Sequence, residues 1–179
     1  MNQIVLVPYQ AEWERSFQTE KNRILKAAGD FIHSIEHVGS TAVPGLSAKP
    51  IVDVMVGLKD FERDKDAYVV AMEDAGYTYE PKYNLQLPFR RYLKKYSKEK
   101  KTHHIHSVDF RHPWWERHLL FRNYLKAFPD VRDEYEALKQ KLCLAYNKGE
   151  ILDYTEGKTR FIRGIEKKAL KHFRKRRMR

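Results

Sequence analysis

Residues 36–55 read EHVGSTAVPGLSAKPIVDVM, and this stretch decides how the fold is interpreted. The run before it, FIHSIEHV (residues 31–38), alternates and contains β-branched residues, which predicts a strand that ends at the Gly39-Ser40 turn. The run IVDVMVGL (residues 51–58) is almost continuously apolar, which is typical of a strand covered on both faces. The sequence therefore predicts two strands of one sheet, with residues 39–50 as a loop or helical turn that forms a cleft wall at the sheet edge.

Patterns outside this stretch predict further strands and then a helical C-terminal part. Strand-like runs occupy residues 4–7 (an edge strand ended by Pro8), 77–80, 88–96 and 102–110, with the lysine-rich residues 94–101 as a hairpin turn. Helical spacing of apolar residues covers 11–28 and 60–75, follows Pro113 and Pro129, and returns at 161–173. We therefore predict an α/β (α+β) fold, a mixed sheet with flanking helices, in a single domain over residues 1–179.

Composition excludes several classes of protein. The single cysteine, Cys143, excludes an internal disulfide framework and is typical of a reducing cytoplasm. No apolar run reaches the length of a membrane span, and the first residues lack the basic start of a secretory signal. We therefore expect a cytoplasmic protein without a membrane partner, and the sequence carries no signal for an oligomeric state.

The positive charge is concentrated at the C-terminus. Residues 158–179 hold 11 Lys/Arg and one acid, Glu166, so they carry +10 of the total net charge of +11. The rest of the chain is nearly neutral. We expect the basic tail, above all residues 174–179, to give nonspecific contact with RNA, or to be only a solubilising surface.

The Gly39-Ser40 turn is the first candidate site. Small residues let a backbone approach a ligand, and N–H groups with a hydroxyl can hold a phosphate, so we predict that Gly39, Ser40 and Thr41 bind phosphate. Lys49 would neutralise either that phosphate or Asp53. A glycine-serine pair is also common in turns without a ligand.

Asp53 is the second candidate, because a carboxylate between Val52 and Val54 is costly unless it is paired, hydrogen-bonded or bound to metal. On a strand, His104 and His106 share one face. If both face Asp53, two imidazoles and one carboxylate would suit Zn, Mn, Fe or Ni better than Mg. The alternative is that the histidines only bond to neighbouring strands.

The sequence allows more than one role for each of two pairs of adjacent residues. Of Arg90 and Arg91, one would share the face of the histidines and contact a phosphate, and we favour Arg91. Glu36-His37 would supply a further ligand or base, or form an ordinary strand pair.

The stretch HVGSTAVPGLSAKPIVDVMV (residues 37–56) resembles the signature of the GrpB family of uncharacterised bacterial proteins. Further similarity lies in Trp13 and in RRYLKK (90–95), HHIH (103–106) and WERHLLFRNYL (115–125), as well as at Tyr154, Lys158 and Phe161-Ile162. The resemblance covers nearly the whole chain.

That family is similar to the nucleotidyltransferase fold, and the resemblance implies a nucleotide site. Gly39 and Ser40 match the phosphate-holding turn, and Asp53 matches the first of two metal-binding carboxylates, so Ser40 and Asp53 would be catalytic, with Mg or Mn as cofactor and Zn if the histidines take part. The second carboxylate position is Met55, whose thioether is the wrong donor for magnesium.

Three functions follow from these observations. The first is binding of a nucleotide or phosphorylated small molecule, with metal-dependent nucleotidyl transfer if the site is active. The second is a catalytically inactive ligand-binding module of the same fold. The third is an RNA-associated protein that uses the basic tail.

Overall fold

The computed structural model describes residues 4–146 and 151–177. Its helices are Glu12–Ala28 (α1), Phe61–Asp74 (α2), Pro113–Ala127 (α3), Pro129–Ala145 (α4) and Ile151–Arg177 (α5). Its strands are Ile32–Val38 (β1), Val52–Leu58 (β2), Thr78–Tyr79 (β3), Arg91–Ser97 (β4) and Lys100–Asp109 (β5). Short 3-10 helices lie at Gly29–Phe31, Ser40–Ala42 and Pro81–Asn84.

The strands form one mixed sheet in the order β1-β2-β5-β4-β3. Strands β2 and β5 are parallel neighbours, and the other pairs are antiparallel. The predicted mixed α+β sheet is confirmed, with the apolar run of β2 near its centre, where both faces are covered. None of the helices in the described ranges is long and apolar enough to cross a membrane.

Alternation along β2 separates the two faces of the sheet. Val52, Val54 and Val56 lie in the main core with α1 and α2, which supply Trp13 and Met72 among others. The intervening positions, including Asp53, face the C-terminal helices instead. Residues 39–50 pack against these helices, because loop and helix residues share a second apolar cluster: Val43, Leu46, Leu125, Tyr135, Phe161 and Ile162.

Several element boundaries differ from the predictions. Residues 4–7 do not form a strand, because their one sheet-like contact is the bridge between Val7 and Ala48. The hairpin turn is shorter than residues 94–101. Strand β4 continues to Ser97 and β5 resumes at Lys100, with positive φ at the two turn residues, Lys98 and Glu99, as in a two-residue hairpin loop.

Helix α5 docks through the predicted apolar stripe, since Ile165 and Ala169 are both buried. Its backbone is helical to Arg177, so residues 174–177 of the predicted basic tail continue the helix. Residues 178–179 of the predicted tail lie outside the described residues.

Candidate functional site

Asp53 and two histidines meet where β2 and β5 run side by side. The parallel register pairs Asp53 with His104, and the period of two along β5 places His106 on the same face. The Asp53 Oδ1 atom lies 3.0 Å from His104 Nδ1 and 3.8 Å from His106 Nε2. One N or O atom from each side chain lies within 4.8 Å of those of the other two. The structure therefore brings the three predicted side chains into one cluster.

The hydrogen bonds of this cluster determine which ring nitrogen of each histidine carries a proton. Arg90 can only donate, so His106 Nδ1, 3.3 Å from Arg90 Nη1, accepts, and His106 Nε2 carries the proton. His104 Nδ1–H donates to Asp53, which leaves His104 Nε2 buried without a hydrogen-bond partner among the described residues. Burial alone would raise the pKa of Asp53, but the two histidines hold that pKa well below its usual range. Asp53 is thus an ionised acceptor.

Aromatic rings hold the imidazoles in place. The Tyr92 ring lies 5.1 Å from the His106 ring and 5.5 Å from the His104 ring, between centroids. The Trp114 ring of α3 lies 5.7 Å from His106. The Arg90 guanidinium packs over both aromatic rings, at 5.1 Å and 5.6 Å. The cluster is therefore preorganised by groups from β4 and α3.

The turn at Gly39 lies directly against the Asp53 side chain. Its φ of 71° and ψ of −172° are favourable only for glycine. A Cβ at this position would overlap Asp53 Oδ2 and lie 3.1 Å from Asp53 Cγ. The glycine predicted as a phosphate-turn residue therefore also makes room for the carboxylate.

Thr41 and the Glu36-His37 pair have partners within the fold. Thr41 Oγ1 lies 3.0 Å from His37 Nε2, and His37 Nδ1 lies 3.1 Å from a carboxylate oxygen of Glu14 on α1. Glu36 accepts a 2.7 Å bond from Arg122. These contacts hold the turn against α1 and α3, and they assign structural partners to groups that were predicted as phosphate, metal or base candidates.

A cavity of about 130 Å³ opens beside Ser40 and Asp53. Lys49 and Lys158 both line it, and their ammonium groups lie 5.3 Å and 4.1 Å from the centroid of the Tyr154 ring. Neither lysine has a carboxylate within 4.0 Å in the described structure. Burial lowers the pKa of Lys49, and burial together with the nearby Lys49 charge lowers the pKa of Lys158 to about 8.

A second cavity, of about 350 Å³, adjoins the first and shares Ser40, Asp53, Thr155 and Lys158 with it. Its other walls combine apolar and aromatic residues with a few polar ones: Val38, Gly39, Phe121, Tyr135 and Ile162, with His106, His118 and Glu166. The cleft therefore has a cationic end and an apolar end, joined at Asp53.

The expectation that Arg91 lies with the histidines is wrong. Adjacent strand residues alternate, so Arg91 lies on the opposite face from Tyr92. Its guanidinium packs 5.2 Å from the centroid of Phe61 on α2. Arg90, just before the strand, is the arginine that contacts His106.

The residues of the cluster do not fit the two-carboxylate magnesium or manganese site that the resemblance implies. Met55, at the second carboxylate position, is fully buried and packs with Val38, Val108 and Trp115. Asp53 is the one carboxylate of the cluster within the described ranges. A pair of hard cations needs several oxygen ligands, whereas this cluster offers one carboxylate and two imidazoles in the described structure.

Sequence reasoning missed three members of the cleft. Lys158 was counted with the basic tail, and Tyr154 was given no role, although both belong to the stretches that resemble the family signature. Arg91 was favoured over Arg90 as the arginine on the face of the histidines. The signal that could have found the first two was an aromatic residue and a lysine spaced i, i+4 on one helix face.

The chain is similar to known proteins over most of its length. A family model described as GrpB protein matches residues 3–168. The chain is 36% identical over 166 residues to UPF0157 protein YqkA of Bacillus subtilis, covering 93% of this chain and 47% of that protein. It is 34% identical to the glutamate-rich protein GrpB of Alkalihalophilus pseudofirmus, covering 89% of this chain and 92% of that protein. The chain thus spans about half of YqkA.

A solved structure and a partial match complete the comparison. The crystal structure of conserved protein GrpB from Enterococcus faecalis superposes with a TM-score of 0.83 at 36% identity, covering 94% of this chain and 99% of that one. A 75-residue part of the chain is 35% identical to a dephospho-CoA kinase of Mycolicibacterium paratuberculosis, which is 18% of that protein.

Proposed function

The chain belongs to the GrpB family, and we propose that it binds a phosphorylated small molecule, with nucleotides as the leading class, in the cleft between the sheet and helices α3–α5. The observation that carries this proposal is the pair of lysines, Lys49 and Lys158, which line one cavity with Ser40 and have no carboxylate partner in the described structure. Two partly buried cations side by side repel each other and have lost solvation. A phosphate between them would offset both effects.

The second cavity supports a ligand larger than a phosphate. It adjoins the lysine end and is lined by the side chains of Phe121 and Tyr135, which suit an aromatic or apolar group such as a base. A nucleotide would then place its phosphates beside Ser40 and its base against α3 and α4. Asp53, at the junction, would lie near the phosphates.

The residues of the cleft support the binding of a ligand but not the transfer of a nucleotidyl group. Met55 removes the second carboxylate, so we derive no nucleotidyl-transfer step, and a ligand-binding module of the same fold agrees better with the residues present. The partial likeness to a dephospho-CoA kinase does not add kinase chemistry, because the sequence contains no GxxxxGK[ST] loop.

We expect calorimetry of the full chain with nucleoside triphosphates and pyrophosphate to detect binding in the wild type. Lys49→Met and Lys158→Met should each weaken it roughly tenfold or more, since each removes a charge-assisted contact of about 1.5–3 kcal/mol. Lys168→Met is the matched control, because Lys168 lies on the same helix but is exposed to solvent, and it should leave affinity unchanged. Absence of binding to the whole panel, or equal loss in the control, would contradict the proposal.

We also propose that the C-terminal end of α5 contacts RNA nonspecifically, because residues 158–179 carry a net charge of +10 and α5, which contains residues 158–177, docks through its apolar stripe. Deleting residues 174–179 removes five positive charges (Arg174, Lys175, Arg176, Arg177 and Arg179). RNA affinity should fall, and the slope of log affinity against log salt should become shallower by about 0.7 for each lost contact to single-stranded RNA. Filter binding across a salt series tests this, and identical slopes for both forms would show a surface with no RNA role.

A further inference from the structure

We propose that Asp53, His104 and His106 form a mononuclear site for a borderline transition-metal ion, represented by Zn²⁺ or Co²⁺, in place of the magnesium pair that Met55 excludes. The site does not depend on the phosphate proposal, since its three donors are distinct from the two lysines. It would lie at the junction of the two cavities, because Asp53 lines both.

The distances between the donor atoms are close to those of a bound site. Metal–ligand bonds of about 2.0–2.2 Å place neighbouring ligand atoms roughly 3.0–3.5 Å apart. Here Asp53 Oδ1 lies 3.0 Å from His104 Nδ1 and 3.8 Å from His106 Nε2. Small side-chain movements therefore suffice to close the site around one ion.

The donor set selects the class of metal. Two imidazoles and one carboxylate favour Zn²⁺, Co²⁺ or Ni²⁺ over Mg²⁺, which prefers oxygen ligands. Three protein ligands beside a cavity also leave room for water or a ligand oxygen in the remaining position. The donors sit on two neighbouring inner strands of the sheet, and Tyr92 contacts both imidazole rings, so little side-chain entropy is lost when a metal binds.

Hydrogen bonding alone does not satisfy the cluster. His104 Nε2 is buried without a partner in the described structure, so the hydrogen bonds of the cluster leave one imidazole nitrogen unsatisfied. The ring faces Asp53 through Nδ1, so an ion bound at Nδ1 would move the ring proton to Nε2, and the proposal rests on the donor distances and the donor set.

Arg90 sets the affinity of the proposed site. Its guanidinium donates to His106 Nδ1 and so keeps a proton on His106 Nε2, the atom nearest to Asp53. Metal binding at Nε2 requires this proton to move to Nδ1, where it would face the Arg90 N–H groups. Removing the guanidinium should therefore tighten metal binding, an effect that an incidental surface site would not show.

The test is titration of the full-length, untagged chain, first treated with a chelator, with Zn²⁺ by competition calorimetry and with Co²⁺ by visible absorption. We expect one equivalent of either ion, with Mg²⁺ bound far more weakly. His104→Ala and His106→Ala should each weaken Zn²⁺ binding roughly 100-fold, and Arg90→Met should tighten it roughly tenfold. Lys49→Met and Lys158→Met should bind metal at least as well as the wild type, so failure of the phosphate proposal would be recognised separately.

The matched control is His103→Ala. His103 is the adjacent residue on β5 but lies on the opposite face, where its Nε2 is 3.1 Å from Ser16 Oγ on α1. Zn²⁺ affinity should stay within about threefold of the wild type. No stoichiometric binding by the wild type, equal loss in the control, or no Mg²⁺ discrimination would overturn the proposal. The first and the last are measured on the wild type and do not depend on whether a variant folds. Unchanged or weaker binding by a folded Arg90→Met protein would overturn the role given to Arg90.

Discussion

Replacing Gly39 with alanine is expected to lower the free energy of unfolding by about 3 kcal/mol, at the upper end of the range for a strained backbone position. Two effects add. The φ of 71° with extended ψ is disfavoured for any residue with a Cβ, and that Cβ would overlap Asp53 Oδ2. Asp53 cannot move aside freely, because His104 donates a hydrogen bond to its other oxygen.

Urea denaturation of the two proteins measures this effect, with Gly29→Ala as the matched control. Gly29 has helical φ and ψ, and a Cβ there would meet no atom within 4 Å, so that substitution should be neutral or slightly stabilising. In an Asp53→Ala background the Gly39→Ala change should be less costly, because only the backbone strain remains. Equal effects of the two glycine substitutions would show that the turn is not constrained by the carboxylate.

Local patterns were sufficient to predict the parts of the site that depend on one strand at a time. The alternation of THHIHSVDF placed His104 and His106 on one face, and the apolar context of Asp53 identified it as a carboxylate in need of a partner. The register that pairs Asp53 with His104 was not visible locally, because parallel neighbours are set by packing over a sequence separation of about 50 residues.

Two parts of the site could not be predicted from local patterns: the arginine that contacts His106, which depends on where β4 begins, and Lys158, which depends on how α5 docks. The choice between Arg90 and Arg91 depends on the residue at which β4 begins, and boundaries shift by one residue without changing the hydrophobic pattern. Lys158 has the composition of a tail residue, and only the docking of α5 over the sheet turns it toward Asp53. Burial, which converts a solvated lysine into a site residue, is a tertiary property.

The stability of the protein is expected to fall by about 3 kcal/mol more between pH 7 and pH 4 in the wild type than in His118→Leu. Burial in the larger cavity lowers the pKa of His118 to about 4 from the model-peptide value of 6.5. The unfolded chain therefore binds a proton as the pH drops below 6.5, whereas the folded chain resists it. Stability from this group is complete above pH 6.5 and is lost progressively toward pH 4.

Only the difference between the two proteins is informative, because burial also lowers the pKa of His37, His103 and His106, and their titration changes stability with the same sign. Leucine removes the titrating ring and leaves no buried hydrogen-bond acceptor without a donor. His118 Nδ1 donates to the Trp114 carbonyl, which the helix backbone N–H of residue 118 also reaches. Phe121→Leu, a non-titrating change in the same cavity, should shift stability equally at every pH. If His118→Leu keeps the wild-type slope in urea melts at a series of pH values, His118 is not held neutral by burial.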